Sequence, residues 1–328
     1  MYQIILCGLS SGKTSIKRVV FDKIPPYELE LNKHSNPYFC SKSYSFGYCK
    51  VNLTEFPSSS SYQNNYKEYE NYLINCDILI FVIDYKKYNL STQEQTEYFK
   101  NSIIPIMKKY KDITLYIFIH TIDNYNANNI LQTQYNDELQ KSIIKTYSDY
   151  NINIDEFKKK FFITSIYNST LYEAFSTILQ NKIPQAKNLS ILVKEMGENS
   201  SIDNAYLFDI NNKFCLASYK PNLEKVNMFD ICLNMIDFAL ELSNIYEESE
   251  DKNDNINKNF DEDLDYSMEI NNYKNGVNDT KSIVFLKYIF KNLVLISIIS
   301  REKNEKSHHL LEYNINILKE GVIRIFKP

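Results

Sequence analysis

At 328 residues the chain is long enough for two domains, each with its own core. A hydrophobic share of 44% and a charged share of 24% place it among ordinary globular proteins. A net charge of −4 and a pI near 5.7 give no general attraction for nucleic acid or an anionic membrane, so no nucleic-acid partner is expected.

The first fifteen residues, MYQIILCGLSSGKTS, run from an apolar strand into Gly-Leu-Ser-Ser-Gly-Lys-Thr. A phosphate-binding loop has Gly, four residues, then Gly-Lys-Ser/Thr. Only three residues separate Gly8 from Gly12, so the loop is one short unless Cys7 takes the first glycine position. Gly8, Ser10, Ser11, Gly12, Lys13, Thr14 and Ser15 form the candidate phosphate site. Backbone N–H groups around Gly12 would meet phosphate oxygens at a helix N-terminus. Lys13 would supply charge to the outer phosphates, and the Thr14 hydroxyl would take one position on Mg²⁺. The alternative is a Ser/Gly turn before a lysine.

A helix over 15–21 follows, then Pro25-Pro26 and a polar stretch, then strands near 44–48 and 50–53. Residues 77–84 hold a buried strand preceded by a helical segment, and 92–110 read as a helix despite Pro105. Further buried strands are expected at 113–119 and 160–164, and a helix over 171–183 stopped by Pro184. Strands separated by helices predict a doubly wound, mostly parallel α/β sheet with ligand at its carboxyl ends. At two of those ends stand His120-Thr121-Ile122-Asp123 and Thr164-Ser165-Ile166. The Asp123 carboxylate could accept from N1–H and N2–H₂ of guanine, a pairing adenine cannot make. Backbone N–H groups at Ser165 and Ile166 could meet the base oxygen. A turn or cap role for Asp123 is the plainer alternative.

The second half predicts a smaller α+β unit: helix 186–196, strands 205–210 and 214–219 around a turn at Asn211-Asn212, and helix 228–246. Strands are expected at 282–290, 293–300 and 310–316, with a charged turn over 301–307 leaving His308 and His309 solvated. Residues 247–280 are rich in Glu, Asp, Asn and Lys. Ile256, Phe260, Leu264 and Met268 fall at helical spacing, but one thin stripe buries too little, so a mostly disordered acidic insertion is expected. The six cysteines show no C-x-x-C pair and no zinc spacing, which favours reduced thiols. Lys287 and Lys291 interrupt the apolar stretch at 282–300, excluding a membrane span there. Tyr2 stands where myristoylation needs glycine, and the last residues, Phe326-Lys327-Pro328, hold no prenylation cysteine, so membrane attachment is expected to come through partners.

Several stretches together resemble the Rag small GTPases, C/D subtype: 15–21, 119–123, Thr164-Ser165-Ile166-Tyr167-Asn168-Ser169-Thr170, Ile183-Pro184-Gln185, Ala205-Tyr206-Leu207-Phe208-Asp209 and Cys232-Leu233-Asn234-Met235-Ile236-Asp237. The resemblance implies a P-loop GTP-binding domain over 1–185 and a roadblock (longin-like) dimerisation domain over 186–328. It implies GTP/GDP and Mg²⁺ as cofactors, with Gly12, Lys13 and Thr14 on phosphate and metal, His120, Asp123, Ser165 and Ile166 toward the base, and Ser35 where the family keeps a switch I threonine on Mg²⁺ and γ-phosphate. It further implies a heterodimer with an A/B-type subunit, a membrane scaffold complex, and a cytoplasmic chain recruited to the lysosome or vacuole that relays amino-acid supply to the target-of-rapamycin kinase complex.

Departures from the family pattern bear on catalysis. Its Trp-Asp-Phe-Pro-Gly-Gln region reads Thr54-Glu55-Phe56-Pro57-Ser58-Ser59 here. Glu55 reaches one methylene further, Ser58 restricts a backbone that glycine would leave free, and Ser59 cannot orient an attacking water as glutamine does. Thr121 replaces the family's lysine. Tyr62, Asn64 and the serine run at 58–61 imply a mobile segment, and no residue is assigned as catalytic. The expectation is a slow GTP hydrolase acting as a switch, with a pseudo-GTPase scaffold as the alternative; a roadblock-associated motility or trafficking GTPase is a third reading.

Overall fold

The computed structural model describes residues 1–9, 11–31, 38–58, 66–84, 94–95, 97–121, 141, 160–200, 202–221, 228–247, 265–274 and 277–327. The chain forms two compact units, Met1–Leu171 and Tyr172–Pro328.

The first unit opens with β1 (Tyr2–Cys7), α1 (Lys13–Val20), α2 (Pro26–Leu31), β2 (Cys40–Ser45), β3 (Lys50–Glu55) and α3 (Tyr66–Leu73). Then come β4 (Ile78–Asp84), a π-helical turn (Phe99–Ile103) running into α4 (Ile104–Lys109), β5 (Thr114–Thr121) and β6 (Phe161–Ser165). Six strands lie in the order β2-β3-β1-β4-β5-β6. Only the β2–β3 pair is antiparallel; the other pairs are parallel. This is the mostly parallel α/β sheet the element order predicts. All seven residues of β4 are buried, as a central strand covered on both faces requires. One face packs Ile5, Leu79, Phe81, Ile83, Leu115, Ile117 and Ile119 against α3 and the π turn with α4.

Pro105 explains the π turn. Its missing N–H deprives residue 101 of a helical partner, and the chain absorbs the loss by widening the turn just before it. The helix therefore continues through the proline, as expected.

The second unit takes most of α5 (Thr170–Lys182), then α6 (Pro184–Asn199), β7 (Asn204–Asp209), β8 (Phe214–Tyr219), α7 (Met228–Glu247), β9 (Asp265–Lys274), β10 (Val277–Phe290), β11 (Leu293–Ser300) and α8 (Arg301–Phe326). Its five strands are ordered β8-β7-β11-β10-β9, with every pair antiparallel. Helix α7 buries Phe229, Cys232, Leu233 and Ile236 against Tyr206, Phe208, Leu286 and Ile296 of one face. Helices α6 and α8 pack on each other and on the sheet.

The compact units divide between Leu171 and Tyr172, and α5 is bonded to β8: the Cys215 N–H donates to Ser176 Oγ at 2.9 Å and Gln180 Nε2 to the Cys215 carbonyl at 2.8 Å. Three expectations need correction here. The linker expected near 182–187 is reduced to Ile183, extended at ψ 119 because Pro184 follows it; that proline then starts α6. The strand expected at 310–316 and the charged turn before it are one helix, α8; Leu311, Ile315, Leu318 and Val322 are buried at helical spacing, and the local Asn-Ile-Asn-Ile alternation misleads. Finally, part of the stretch expected to be disordered over 247–280 is regular structure. Glu247 ends α7, while 265–274 form β9 and 277–280 open β10; residues 248–264 lie outside the described set. In β9, Tyr266 and Ile270 pack toward the α7 face, a period of two that rescues an otherwise polar strand.

Two helical glycines give a sign test. A Cβ on Gly197 of α6 would lie 2.2 Å from Cδ1 and 2.7 Å from Cγ of the Tyr219 ring, near its root, whereas one on Gly321 of α8 would meet the far end of Leu192 at 2.8 Å. Helix propensity favours alanine by about 1 kcal/mol at either place, and overpacking costs about 1–3 kcal/mol where the neighbour cannot give. Gly197→Ala is therefore expected to lower the Tm of the C-terminal unit by roughly 2–6 °C, while Gly321→Ala leaves it level or raises it slightly; calorimetry of both variants checks this.

Candidate functional site

The carboxyl ends of β1, β3, β5 and β6 bring the site together. Cys7 closes β1 with its thiol donating to the Ile80 carbonyl at 3.5 Å; burial holds that thiol well above its usual pKa, so it is a neutral wall and not a loop residue. The loop begins at Gly8, whose φ of +132 only glycine adopts readily, and where a Cβ would sit 2.2 Å from the Val82 carbonyl oxygen. It ends at Gly12, the left-handed N-cap of α1 at φ 81. Gly12 has no side chain to cap the helix and the first turn carries no acid, so this helix start is chemically suited to an anion.

Lys13 is buried at 2% exposure. Its ammonium donates to the Gly8 carbonyl and to Ser58 Oγ at 3.0 Å. The Thr14 hydroxyl donates to Glu55 Oε1. Glu55, the last residue of β3, is buried, and its Oε2 has no hydrogen-bond partner among the described residues. The β1–β3 register places Leu6 opposite Glu55, and the Phe56 N–H donates to the Leu6 carbonyl at 2.9 Å. The first turn of α1 and the end of β3 thus deliver a hydroxyl and a buried carboxylate to one point. An orphaned carboxylate oxygen beside a hydroxyl is what a hard divalent cation would satisfy, so these residues fit Mg²⁺.

His120 approaches from β5. It is fully buried, its Nδ1 lies 3.1 Å from Thr164 Oγ1, and its Nε2 has no partner among the described residues. Cδ2 of the ring would lie 2.8 Å from a Cβ at Gly12, so the imidazole packs where the loop has no room for a side chain. Burial lowers its pKa to about 4, outweighing the hydrogen bond the ring donates to the Thr164 backbone, which works the other way. The ring is neutral at pH 7. Ser11 Oγ is likewise buried without a partner among the described residues, while Ser15 is half-buried in the first turn of α1.

At β6, the Ser165 N–H is already committed, donating to Thr170 Oγ1 at 2.9 Å, and its hydroxyl accepts from the Tyr167 N–H at 3.2 Å. Ile166 is buried beside it. Ser165 thereby organises the turn that follows β6. Ser10, Ser35, Asp123, Ser59, Tyr62 and Asn64 lie outside the described residues. Two residues that the motif pattern does not single out stand at the same place. Asp84, buried at the end of β4, is in register with His120; the signal was its position closing a continuous apolar run. Tyr98 is hydrogen-bonded to the backbone of Gly8, and no spacing rule points to it.

A family model described as the Gtr1/RagA G protein conserved region matches residues 3–236. The chain is 26% identical over 326 residues to Ras-related GTP-binding protein C of Mus musculus, covering 99% of this chain and 77% of that protein. It is 28% identical over 329 residues to GTP-binding protein gtr2 of Schizosaccharomyces pombe, covering 99% and 98%. Among solved structures, Myxococcus xanthus MglB aligns with 44% of this chain and 90% of its own at a TM-score of 0.32 and 9% identity, a likeness from which nothing is argued.

The neutral His120 has a thermodynamic consequence. Above about pH 6.5 the ring is uncharged whether the chain is folded or not, and proton linkage contributes nothing. As pH falls toward 4 the unfolded chain takes up a proton that the folded chain refuses, so stability is lost, by on the order of 3 kcal/mol at the lower limit. His120→Asn is expected to be less stable than the native chain at pH 7.5 and to close or reverse that gap by pH 4.5, read as Tm against pH.

Proposed function

Because the chain belongs to the Gtr1/RagA G-protein family, we propose that it works as the C/D-type guanine-nucleotide switch subunit of a Rag heterodimer. The observation that supports this most strongly is the buried Lys13 ammonium, set against an uncapped, acid-free helix start between two glycines that cannot carry side chains. Phosphate oxygens would complete the coordination of Lys13 and of the N–H groups at the start of α1. Mg²⁺, held by Thr14 and through Glu55, with Ser35 as a further ligand, would neutralise charge between the phosphates. Asp123 would select guanine, and His120 would pack against the loop that carries the phosphates. When bound, nucleotide is the switch signal; the residues of this chain bind, orient and exclude water.

The C-terminal unit, read as a roadblock-like domain over 186–328, would pair with the corresponding domain of an A/B-type subunit. An antiparallel sheet whose outer strands among the described residues are β8 and β9 supports an association role. No helix among the described residues is long and apolar enough to cross a membrane. Lysosomal or vacuolar recruitment would therefore come through a scaffold complex, with the target-of-rapamycin kinase complex as the output. A second reading, a scaffold that dimerises without cycling nucleotide, is favoured by one observation: the Ser58 hydroxyl accepts from Lys13 at the position where the family pattern has glycine.

Nucleotide extracted from the purified full chain, or from its complex with an A/B-type subunit, tests the proposal. GDP or GTP at near one per chain is expected, lost in Lys13→Ala. Asp123→Asn should shift preference toward xanthine nucleotide, because the amide donates to the extra oxygen and the carboxylate cannot. Single-turnover hydrolysis should run at or below the order of 10⁻⁴ s⁻¹. Equal competition by ATP and GTP would overturn the guanine assignment, and an empty chain would favour the scaffold.

A further inference from the structure

Lys13 is almost wholly buried, and its ammonium has three N–H directions to satisfy. The Gly8 carbonyl takes one, and the Ser58 hydroxyl, 3.0 Å away, takes another. Ser58 reaches the lysine from a well-anchored stretch. Phe56 and Pro57 before it are both buried. The Phe56 N–H donates to the Leu6 carbonyl at 2.9 Å, and its ring packs edge-on against Tyr69 at 4.6 Å and Phe39 at 5.2 Å. Pro57 sets its own φ, so the chain arrives at Ser58 in a restricted direction.

In a phosphate loop the lysine reaches both the β- and the γ-phosphate. With Gly8 and Ser58 in place, oxygens of both phosphates cannot be met unless a protein oxygen gives way. A diphosphate makes the smaller demand, because only its β-phosphate needs the ammonium. We propose that Ser58 is a specificity-determining residue: its hydroxyl holds the place on Lys13 that a terminal phosphate oxygen would take, so the site favours a nucleoside diphosphate over the triphosphate. The inference rests on reading the site as a nucleotide site, and it adds which phosphorylation state that site retains. The effect is a bias and not a block. A γ-phosphate oxygen carries more charge than a hydroxyl and can displace it, at the cost of a hydrogen bond to a charged donor. Glycine at this position would hold no such place, and neither would alanine, so the hydroxyl is the feature that acts.

The test is a competition on the full chain with Mg²⁺ present, in which GDP and a non-hydrolysable GTP analogue each displace fluorescent GDP. Ser58→Ala removes the hydroxyl and keeps the Cβ, so the backbone stays as restricted as it is with serine. The nucleotide-free chain and the GDP-bound chain both lose the contact, so GDP affinity should stay within about twofold. The triphosphate-bound chain has already given it up, so affinity for the analogue should rise by about tenfold. Ser58→Gly should shift the ratio the same way by at least as much, and it carries the test if the alanine variant does not fold. A merely structural role for Ser58 would weaken both nucleotides together and leave their ratio where it was. A ratio within twofold of wild type in both variants overturns the proposal. So does a ratio moved toward GDP, which would put the hydroxyl on the terminal phosphate. A wild-type chain that takes up no fluorescent GDP overturns the nucleotide reading itself, and this proposal with it.

Discussion

Burying the Lys13 ammonium removes it from water, which costs several kcal/mol unless oxygens replace the lost hydration. The N-terminal unit is arranged to supply those oxygens. Parallel pairing of β1 with β3 and β4 sets Leu6 opposite Glu55 and Cys7 opposite Phe81, so the ends of β1 and β3 stand side by side while β4 runs on to Asp84. The Gly8 carbonyl and the Ser58 hydroxyl are drawn onto the ammonium from two of those ends. Positive φ at Gly8 and Gly12 then follows as a geometric need: the chain must turn from strand to helix within a few residues while keeping a carbonyl aimed inward and N–H groups aimed outward.

Much of this is legible in the residues themselves. Ile4-Ile5-Leu6 before Gly8, and Lys13-Thr14 after Gly12, carry their own chemistry, and the continuous apolar run ending at Asp84 allows little but a central strand. What escapes is set by distant partners. Tyr98 has no motif around it, and its place depends on the π turn that Pro105 imposes and on Phe81 across the core. The turn after β6 is set by Thr170, five residues on, which takes the Ser165 N–H.

The polar half of the C-terminal sheet was hidden for a related reason. In β9 the acidic composition dominates the local signal, while its strand character comes from pairing with β10 along almost its whole length. Lys287 of β10 binds Asp265 of β9 at 3.0 Å and Glu312 of α8, at 14% exposure of its side chain. Burial alone would lower the lysine pKa; the two carboxylates outweigh it and hold the ammonium above its ordinary range. One cation thereby fixes an edge strand and the final helix to the same central strand, which no local window of sequence can disclose.

The contrast between Lys13 and His120 shows how the site divides its labour. Both are buried within reach of the same loop, yet the lysine is met by two oxygens and the histidine is held neutral. Carbonyl and hydroxyl oxygens surround the lysine, which favour its charged form. The histidine meets one Thr164 side chain and the bare face of Gly12, which do not offset the loss of water. A second positive charge beside Lys13 would attract phosphate more strongly, but it would also repel the lysine and a divalent cation at Thr14 and Glu55. A neutral ring fills the space against Gly12 and brings no second positive charge to the loop.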